Sequence, residues 1–358
     1  MIFLLIILCV APAVAPFEKL VLKSSVQSLS GQVRLFQEWE KKQHTHYNNN
    51  EKRARFRVFK KHLQKIVAIN DAQDKFKCDI NFMAGLTDDE QQRYGMNETA
   101  FLTDVQNKPT EIIKKTDKNL LRMKSLSSTS SSKSWSREGK VTPVKSQGEC
   151  GSCWAFSAVA VIESRYAIKT GTLKTFSDQE ALDCAYEVVK VRDGCTGGLA
   201  QRVWGYIRDN NHLSLEKDYR YRGEDGPCLM KSKPNALDGF TVTSIGWYKS
   251  DLDSLAEVIG KGGPVDTVIK LRDEVYYYEK GLLSVPNCDG NGIKHAVAVT
   301  GYTPSYFEVK NSWGVDWGEK GYFRWERIKE NVCFFFDNGY TRPKFRKGKH
   351  KKTGQDRI

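Results

Sequence analysis

The sequence predicts an α+β fold from two patterns that follow one another along the chain. The first half carries helix-length stretches. Phe56, Phe59, Leu63, Ile66 and Asn70 recur at three- and four-residue steps, and Trp154 to Ile162 is an almost unbroken apolar run. From Gly239 onward the apolar residues collect in short β-branched and aromatic segments, among them Phe240–Ile245, Ala296–Thr300 and Tyr306–Lys310. Helices first and strands later read as α+β. At 358 residues the chain has ample length for a large core and for two or three domains.

Residues 1–15 form an apolar run ending in Ala13-Val14-Ala15, too short to span a bilayer and shaped like a secretory signal peptide. Residues 30–70 read as helical. Residues 125–134, Ser-Leu-Ser-Ser-Thr-Ser-Ser-Ser-Lys-Ser, are a polar low-complexity linker that cannot build a core and offers a site for proteolysis. A buried helix follows, apolar on nearly every face, with Cys153 in its first turn and Thr170-Gly171 as its stop. Phe176 to Cys184 is a short capped helix. In Gly194-Cys195-Thr196-Gly197-Gly198, the paired glycines let the backbone come close to a ligand or another strand.

A net charge of +13 suggests a nucleic-acid binder until the charges are located. Residues 17–125 hold 21 Lys/Arg against 14 Asp/Glu, and residues 344–358 hold seven against one. Residues 126–343 hold 28 of each and are neutral, so the basicity lies in the flanks. Nine cysteines fit an oxidising compartment. Seven of them lie after residue 126, an odd number that suggests three bridges and one free thiol. Asn97-Glu98-Thr99 is the one N-glycosylation sequon. No Cys/His cluster has zinc spacing, so neither a metal nor any other cofactor is expected.

The chemistry centres on Gln147-Gly148-Glu149-Cys150-Gly151-Ser152-Cys153-Trp154. At the start of a helix, unpaired N–H groups and the positive end of the dipole favour a thiolate. A thiol nucleophile needs a basic partner. Of the six histidines, His44, His46, His62, His212 and His350 lie in the N-terminal third, a loop or the tail. His295 alone opens an apolar strand, 142 residues after Cys153. Asn311, in Val309-Lys310-Asn311-Ser312-Trp313-Gly314, suits the group that orients an imidazole, and Trp313 would keep water from that hydrogen bond. Acyl transfer by such a thiol would also need hydrogen-bond donors for the developing oxyanion.

The Cys-Gly-Ser-Cys-Trp, Ile-Lys-His-Ala-Val and Lys-Asn-Ser-Trp-Gly runs resemble the papain family of cysteine proteases, nearest its cathepsin-L-like branch, over about residue 33 to Pro343. The resemblance implies a two-lobed domain, helical on the left and an antiparallel β-barrel-like lobe on the right, with the cleft between them. It implies catalytic roles for Cys153, His295, Asn311 and Gln147, and substrate contacts from Gly197, Gly198, Leu199, Ala200, Ile293, Lys294, Trp313 and Asn338. The second specificity pocket would close about five residues after Cys333, at Asn338 or, with a one-residue gap, Asp337. Implied bridges are Cys150–Cys195, Cys184–Cys228 and Cys288–Cys333. Glu51, Arg55, Phe59, His62, Ile66 and Asn70 fit a cathepsin propeptide motif, and Asn81 belongs to a degenerate second one.

The expected organisation is a signal peptide at 1–15, an inhibitory prosegment at 16–126, a peptidase domain at 127–343 and a basic tail at 344–358. The expected activity is a monomeric, secreted or lysosomal endopeptidase working through an acyl-enzyme on protein and peptide substrates. Its own prosegment would inhibit it, and Asn97 would carry the glycan. No insertion after Gly198 has the size of a carboxydipeptidase's occluding loop. A catalytically inactive, secreted papain-like protein that binds acidic glycans through its tail is the alternative, yet none of Cys153, His295 or Gln147 is missing. A nucleic-acid module would need its basic residues on a folded face, and a transglutaminase-like enzyme would carry Asp where Asn311 stands. Lys294 departs from the family, which usually has Asp or Asn beside the histidine.

Overall fold

The computed structural model describes residues 23–106, 113–114, 131–186, 194–249, 251–285, 292–331 and 339–347. The N-terminal third forms helices α1 (Leu29–Lys42) and α2 (Asn49–Ala72), strand β1 (Phe76–Cys78), and helices α3 (Asp88–Gln92) and α4 (Glu98–Gln106). After the two-residue strands β2 (Ile113–Lys114) and β3 (Lys133–Ser134) come α5 (Cys153–Thr170), α6 (Asp178–Cys184) and α7 (Ala200–Asn210). The remainder is β4 (Phe240–Lys249), α8 (Leu252–Gly262), β5 (Val265–Lys270), α9 (Asp273–Tyr276), β6 (Tyr278–Leu283), β7 (Lys294–Tyr302), β8 (Tyr306–Lys310), β9 (Tyr322–Glu326) and β10 (Gly339–Lys347). The α+β expectation holds. Among the described residues no helix is long and apolar enough to cross a membrane.

Helix α5 is buried from Cys153 through Ala167, as its all-round apolar sequence requires. Gly171 ends it in the left-handed conformation, φ 84°, and its N–H reaches the Ala167 carbonyl at 3.0 Å. One core joins α5 to α6 and α7 through Trp154, Val161, Leu182, Trp204 and Ile207. A second fills the β half with Val265, Ile269, Val297, Val299, Phe307 and Trp317. Ala296 and Ala298 of β7 belong to the helical core, so β7 has α5 against one face. Small residues there let a strand backbone come close to the helix.

The strands run in the order β1-β6-β9-β8-β7-β5-β10-β4-β2, with β3 added beside β7. Most pairs are antiparallel; β6–β9 and β2–β4 are parallel. In the β5–β7 ladder His295 stands opposite Ile269, and Lys294 stands opposite Lys270. β10 joins β5 through Thr341 opposite Asp266 and lies along all of β4.

The structure adds detail to three sequence expectations about the chain's course. Residues 30–70 are two helices, because Asn48 caps α2 by accepting from the Asn50 and Glu51 N–H groups, and His44 before it turns at φ 52°. That turn folds Phe36 and Trp39 back onto Phe59, with ring centres 5.3 and 5.7 Å away. The linker's last two residues are ordered as β3, held by Gly301 and Tyr302. The boundary at 344 falls inside β10: Lys344 to Lys347 still pair with β4, and Phe345 stacks on Phe240 at 4.3 Å. Residues 348–358 lie outside the described residues.

The N-terminal unit has its own small core of Phe36, Trp39, Phe59 and Leu63. Arg55 grips Glu90 with both arms, and this pair holds the Glu90 carboxyl down to about 2 against the cost of partial burial. Asn70 exchanges hydrogen bonds with the Cys78 backbone, both at 2.8 Å, and so fixes β1. β1 then pairs antiparallel with β6, and Asn81 Nδ2 donates to the Tyr276 carbonyl at 2.9 Å. The unit is docked onto the β half by backbone pairing as well as by side chains.

Asp266 is buried between the core elements and accepts from Ser157 and Thr341 hydroxyls, each at 2.7 Å. Burial raises its pKa to about 6, which the two hydroxyls only partly oppose. The native state therefore keeps this proton between about pH 4 and 6, where an unfolded aspartate loses it. Its contribution to stability is full below about pH 4 and is lost as pH rises through 6. Relative to Asp266→Asn, the wild-type chain should lose up to about 3 kcal/mol over that window. Urea midpoints measured in half-unit steps check this, and a gap between the two proteins that ignores pH would contradict it.

Candidate active site

The amino end of α5 carries Cys153. Ser152 stands at the cap position without a side-chain capping bond, so the first N–H groups of the helix point toward the sulfur end of the element. The preceding turn is tied down by the Cys150–Cys195 disulfide and by Gly151 N–H on the Cys195 carbonyl at 2.8 Å. A side chain at Gly151 would come within 2.3 Å of that carbonyl. The Cys153 sulfur accepts from the Ala296 N–H at 3.4 Å, against β7 and one residue from His295.

His295 is fully buried and its Nε2 lies 2.7 Å from Asn311 Oδ1. Asn311 Oδ1 also accepts the Ser312 N–H at 2.8 Å, so Nε2 is the protonated ring nitrogen. Nδ1 has no hydrogen-bond partner among the described residues and is left as the ring's basic nitrogen. The Trp313 ring lies 4.7 Å from the imidazole and excludes water from the His–Asn bond. Gln147 donates through Nε2 to the Cys150 carbonyl at 2.8 Å and accepts from Ser312 Oγ at 2.6 Å. Cys153, His295, Asn311 and Gln147, spread over 165 residues, meet at one place.

That place is dry. Burial pushes the Cys153 thiol up to about 12, despite the N–H groups of Ala296 and Trp154. Burial also pulls His295 down to about 4, against the opposing pulls of Asn311 and of the Tyr94 backbone. The pair is thus a neutral thiol and a neutral imidazole across the intervening pH range. The N-terminal unit lies across the cleft here, with Met96 and Phe101 packed in the same core as Cys153.

Residues 94–98 make that cover. The Tyr94 carbonyl accepts from Gln147 Nε2 at 3.2 Å and from Trp313 Nε1 at 3.1 Å. Met96 forms an antiparallel bridge with Lys294, the two N–H···O bonds measuring 2.6 and 3.2 Å. Asn97 N–H reaches the Thr196 carbonyl at 3.0 Å. Gly197, at φ 131°, lies under Met96, where a side chain would meet the Met96 Cβ at 2.9 Å. Further along, Asp104 pairs with Arg202 of α7 at 2.8 Å.

Of the expected substrate contacts, Gly198, Leu199 and Ala200 line a narrow cavity together with Asp266, Val268, Ala296, Gly339 and Thr341. Gly197, Ile293, Lys294 and Trp313 lie against the covering segment. Asn338 and Asp337 lie outside the described residues; the β10 positions that reach the cavity are Gly339 and Thr341. The Cys150–Cys195 and Cys184–Cys228 bridges are present, while Cys288 and Cys333 lie outside the described residues. Asn97 is exposed, and its side chain caps α4 through the Ala100 N–H at 3.1 Å.

Sequence reasoning missed Tyr94, Gly95 and Met96, Ser312 as the support of Gln147, and Asp266 behind the cavity. Nothing local marks them, since each matters only through a distant partner. Gly95 is the clearest case. A Cβ there would sit 2.2 Å from Ile293 Cγ2 and 2.9 Å from the Lys294 carbonyl. Gly95→Ala should therefore lift the cover, at a cost of about 1–3 kcal/mol. Alkylation of Cys153 in the uncut chain by a small neutral reagent should then speed up about tenfold or more, and an unchanged rate would refute this packing account.

The sequence matches the model of the papain family cysteine proteases over residues 129–341 and that of the cathepsin propeptide inhibitor domain over residues 36–91. It is 34% identical over 305 residues to pro-cathepsin H of Bos taurus, covering 83% of this chain and 86% of that protein. It is 32% identical to cathepsin L1 of Drosophila melanogaster over 336 residues, covering 88% and 86%. Papain of Carica papaya is 32% identical over 316 residues, covering 86% of each. Among solved structures, a recombinant stem bromelain precursor superposes with a TM-score of 0.72 at 28% identity, over 87% of this chain and 98% of that one. Digestive procathepsin L 3 of Tenebrio molitor gives 0.69 at 26%, over 88% and 99%. With both family models matched and the same architecture in solved precursors, the chain belongs to the papain family of cysteine proteases and carries a cathepsin-type inhibitor propeptide ahead of its protease domain.

Proposed function

We propose that this protein is a cysteine endopeptidase made as an autoinhibited zymogen. The observation that carries the reading is the convergence of Cys153, His295, Asn311 and Gln147, with a backbone carbonyl, that of Tyr94, seated on the Gln147 amide. Once the cover leaves and water enters, the cost of charge at the pair falls, and a proton passes from Cys153 to His295. The thiolate adds to the substrate carbonyl, and the oxyanion takes hydrogen bonds from Gln147 Nε2 and the Cys153 N–H. Collapse breaks the C–N bond, and the amine leaves with the proton from His295. Water then adds to the thioester while His295 takes its proton, and the acid leaves with Cys153 regenerated. Asn311 holds the imidazole in the orientation both steps need.

In this reading residues 1–15 direct the chain into the secretory pathway, residues 16–126 inhibit it, and maturation cuts the chain between about Met123 and Trp135. The protease domain then extends from about residue 127 through the end of β10 at Lys347, with the remaining basic tail after it. Two disulfides suit a secreted or lysosomal enzyme. Substrates are proteins and peptides, cut internally, because the chain after Gly198 has no insertion to block the cleft.

The test compares intact and cut chain on one small fluorogenic peptide and with an epoxysuccinyl thiol probe. The cut form should label and turn over, and the intact form should do neither at neutral pH. In the cut form His295→Ala should lose on the order of 10³-fold in kcat/KM. Cys153→Ala should lose all labelling. Equal turnover by intact and cut chain would end the autoinhibition reading, and a cut chain whose Cys153 never labels would end the enzyme reading.

A further inference from the structure

Lys294, the residue directly before His295, is nearly fully buried, with only 3% of its side chain exposed. Its ammonium lies 3.0 Å from Glu98 Oε1, and the other carboxylate oxygen of Glu98 accepts the Gly292 N–H at 3.1 Å. A third group faces the same place. Lys270 stands directly across the β5–β7 ladder from Lys294, so the two side chains share one face of the sheet. Gly292 lies against the Lys270 stem: a Cβ on Gly292 would be 3.1 Å from Lys270 Cγ. Like charges at directly opposed cross-strand positions repel, and an anion between them relieves the repulsion. Burial pushes the Glu98 carboxyl up, but Lys294, then the Gly292 N–H and last the charge of Lys270 outweigh it and hold the group below the ordinary glutamate range.

Glu98 belongs to the covering segment and leaves with it. Its carboxylate stands where an acidic side chain of another peptide could lie, two residues along from Met96, whose backbone bridges Lys294 in the cleft. Two extended residues span roughly 7 Å, so the socket is within reach of positions next to the scissile bond. We propose that cutting the chain turns the Glu98 socket into a subsite for acidic side chains, in which Lys294, Lys270 and the Gly292 N–H bind a substrate glutamate. The proposal rests on the protease reading above. A carboxylate bound by a charged donor and an amide gains about tenfold or more over its neutral amide.

The test uses the processed chain and pairs of fluorogenic peptides that differ only in Glu against Gln, placed in turn at the two positions on either side of the scissile bond. At one position kcat/KM should favour Glu by about tenfold, and the preference should shrink as salt is raised. Lys294→Gln should bring that ratio near one, and Lys270→Gln should lower it in part; a ratio is unaffected by a general loss of activity. A second measurement needs no turnover. Fluorescence anisotropy on processed Cys153→Ala should give the Glu peptide the lower Kd by a similar factor. Glu and Gln peptides bound and cleaved alike at every position overturn the subsite, as does a preference that survives both lysine variants. Failure of the protease reading looks different: no turnover or labelling in any form, with the anisotropy comparison still deciding the socket.

Discussion

The contact between the amino end of α5 and strand β7 is the constraint on which the rest depends. A helix with no polar face must be enclosed on all sides, and here the helical core encloses it on one flank and β7 on the other. The small residues Ala296 and Ala298 allow the strand that close, and the approach brings the Ala296 N–H onto the Cys153 sulfur. His295, one residue earlier on the same strand, is delivered with it. The ladder from β7 to β8 then brings Asn311 to the imidazole, and the Ser146–Trp313 bridge brings Gln147 alongside.

Behind the site a buried charge network holds the same elements in register. Glu163 of α5 has no exposure at all, and it accepts from Lys145 at 2.9 Å, from the Phe176 N–H at 2.9 Å and from the Thr142 hydroxyl. Lys145 also pairs with Asp178 of α6 at 2.6 Å. Burial opposes its charge, but the two carboxylates outweigh burial and raise the Lys145 pKa above the ordinary lysine range. Lys310, next to Asn311, donates to Thr142 at 3.0 Å, and burial lowers it to about 8. Such a network fixes the geometry between α5, α6 and β8. Removing one partner strands a charge, which costs far more than the pair contributes.

The N-terminal unit works by the same currency of burial. It spans the cleft with backbone pairing at Met96 and Asn97, anchored by β1 on β6 at one end and by the Asp104–Arg202 pair at the other. Beneath it Cys153 and His295 are both fully buried. The neutral form of each is favoured beneath it because a desolvated thiolate and a desolvated imidazolium are both costly.

How much was legible in the sequence follows from how local each feature is. The α5 boundaries were legible, since an apolar run begun by Cys153 and ended by Gly171 is decided by neighbours in the chain. So were the strands at Phe240, Ala296 and Tyr306, while the pairing of Cys150 with Cys195 and of Cys184 with Cys228 followed only from the family resemblance, because spacing alone permits many pairings. The break between α1 and α2 was not read, because the apolar spacing that marked a helix covers only Phe56 to Asn70 and the packing of Phe36 and Trp39 onto Phe59 is a tertiary contact. The strand at Lys344–Lys347 was hidden as well, because a basic run reads as solvated until β4 offers it a partner. The sequence by itself determined which groups could do the chemistry and that the chain belongs to an α+β, precursor-type architecture. Tertiary structure decided what those groups face: Tyr94 on Gln147, Gly95 against Ile293, Asp266 behind the cavity and Glu98 on Lys294 and the Gly292 N–H. Each of these is a pairing between residues more than 50 positions apart or on different strands, and its energy exists only once the fold has removed water from between them.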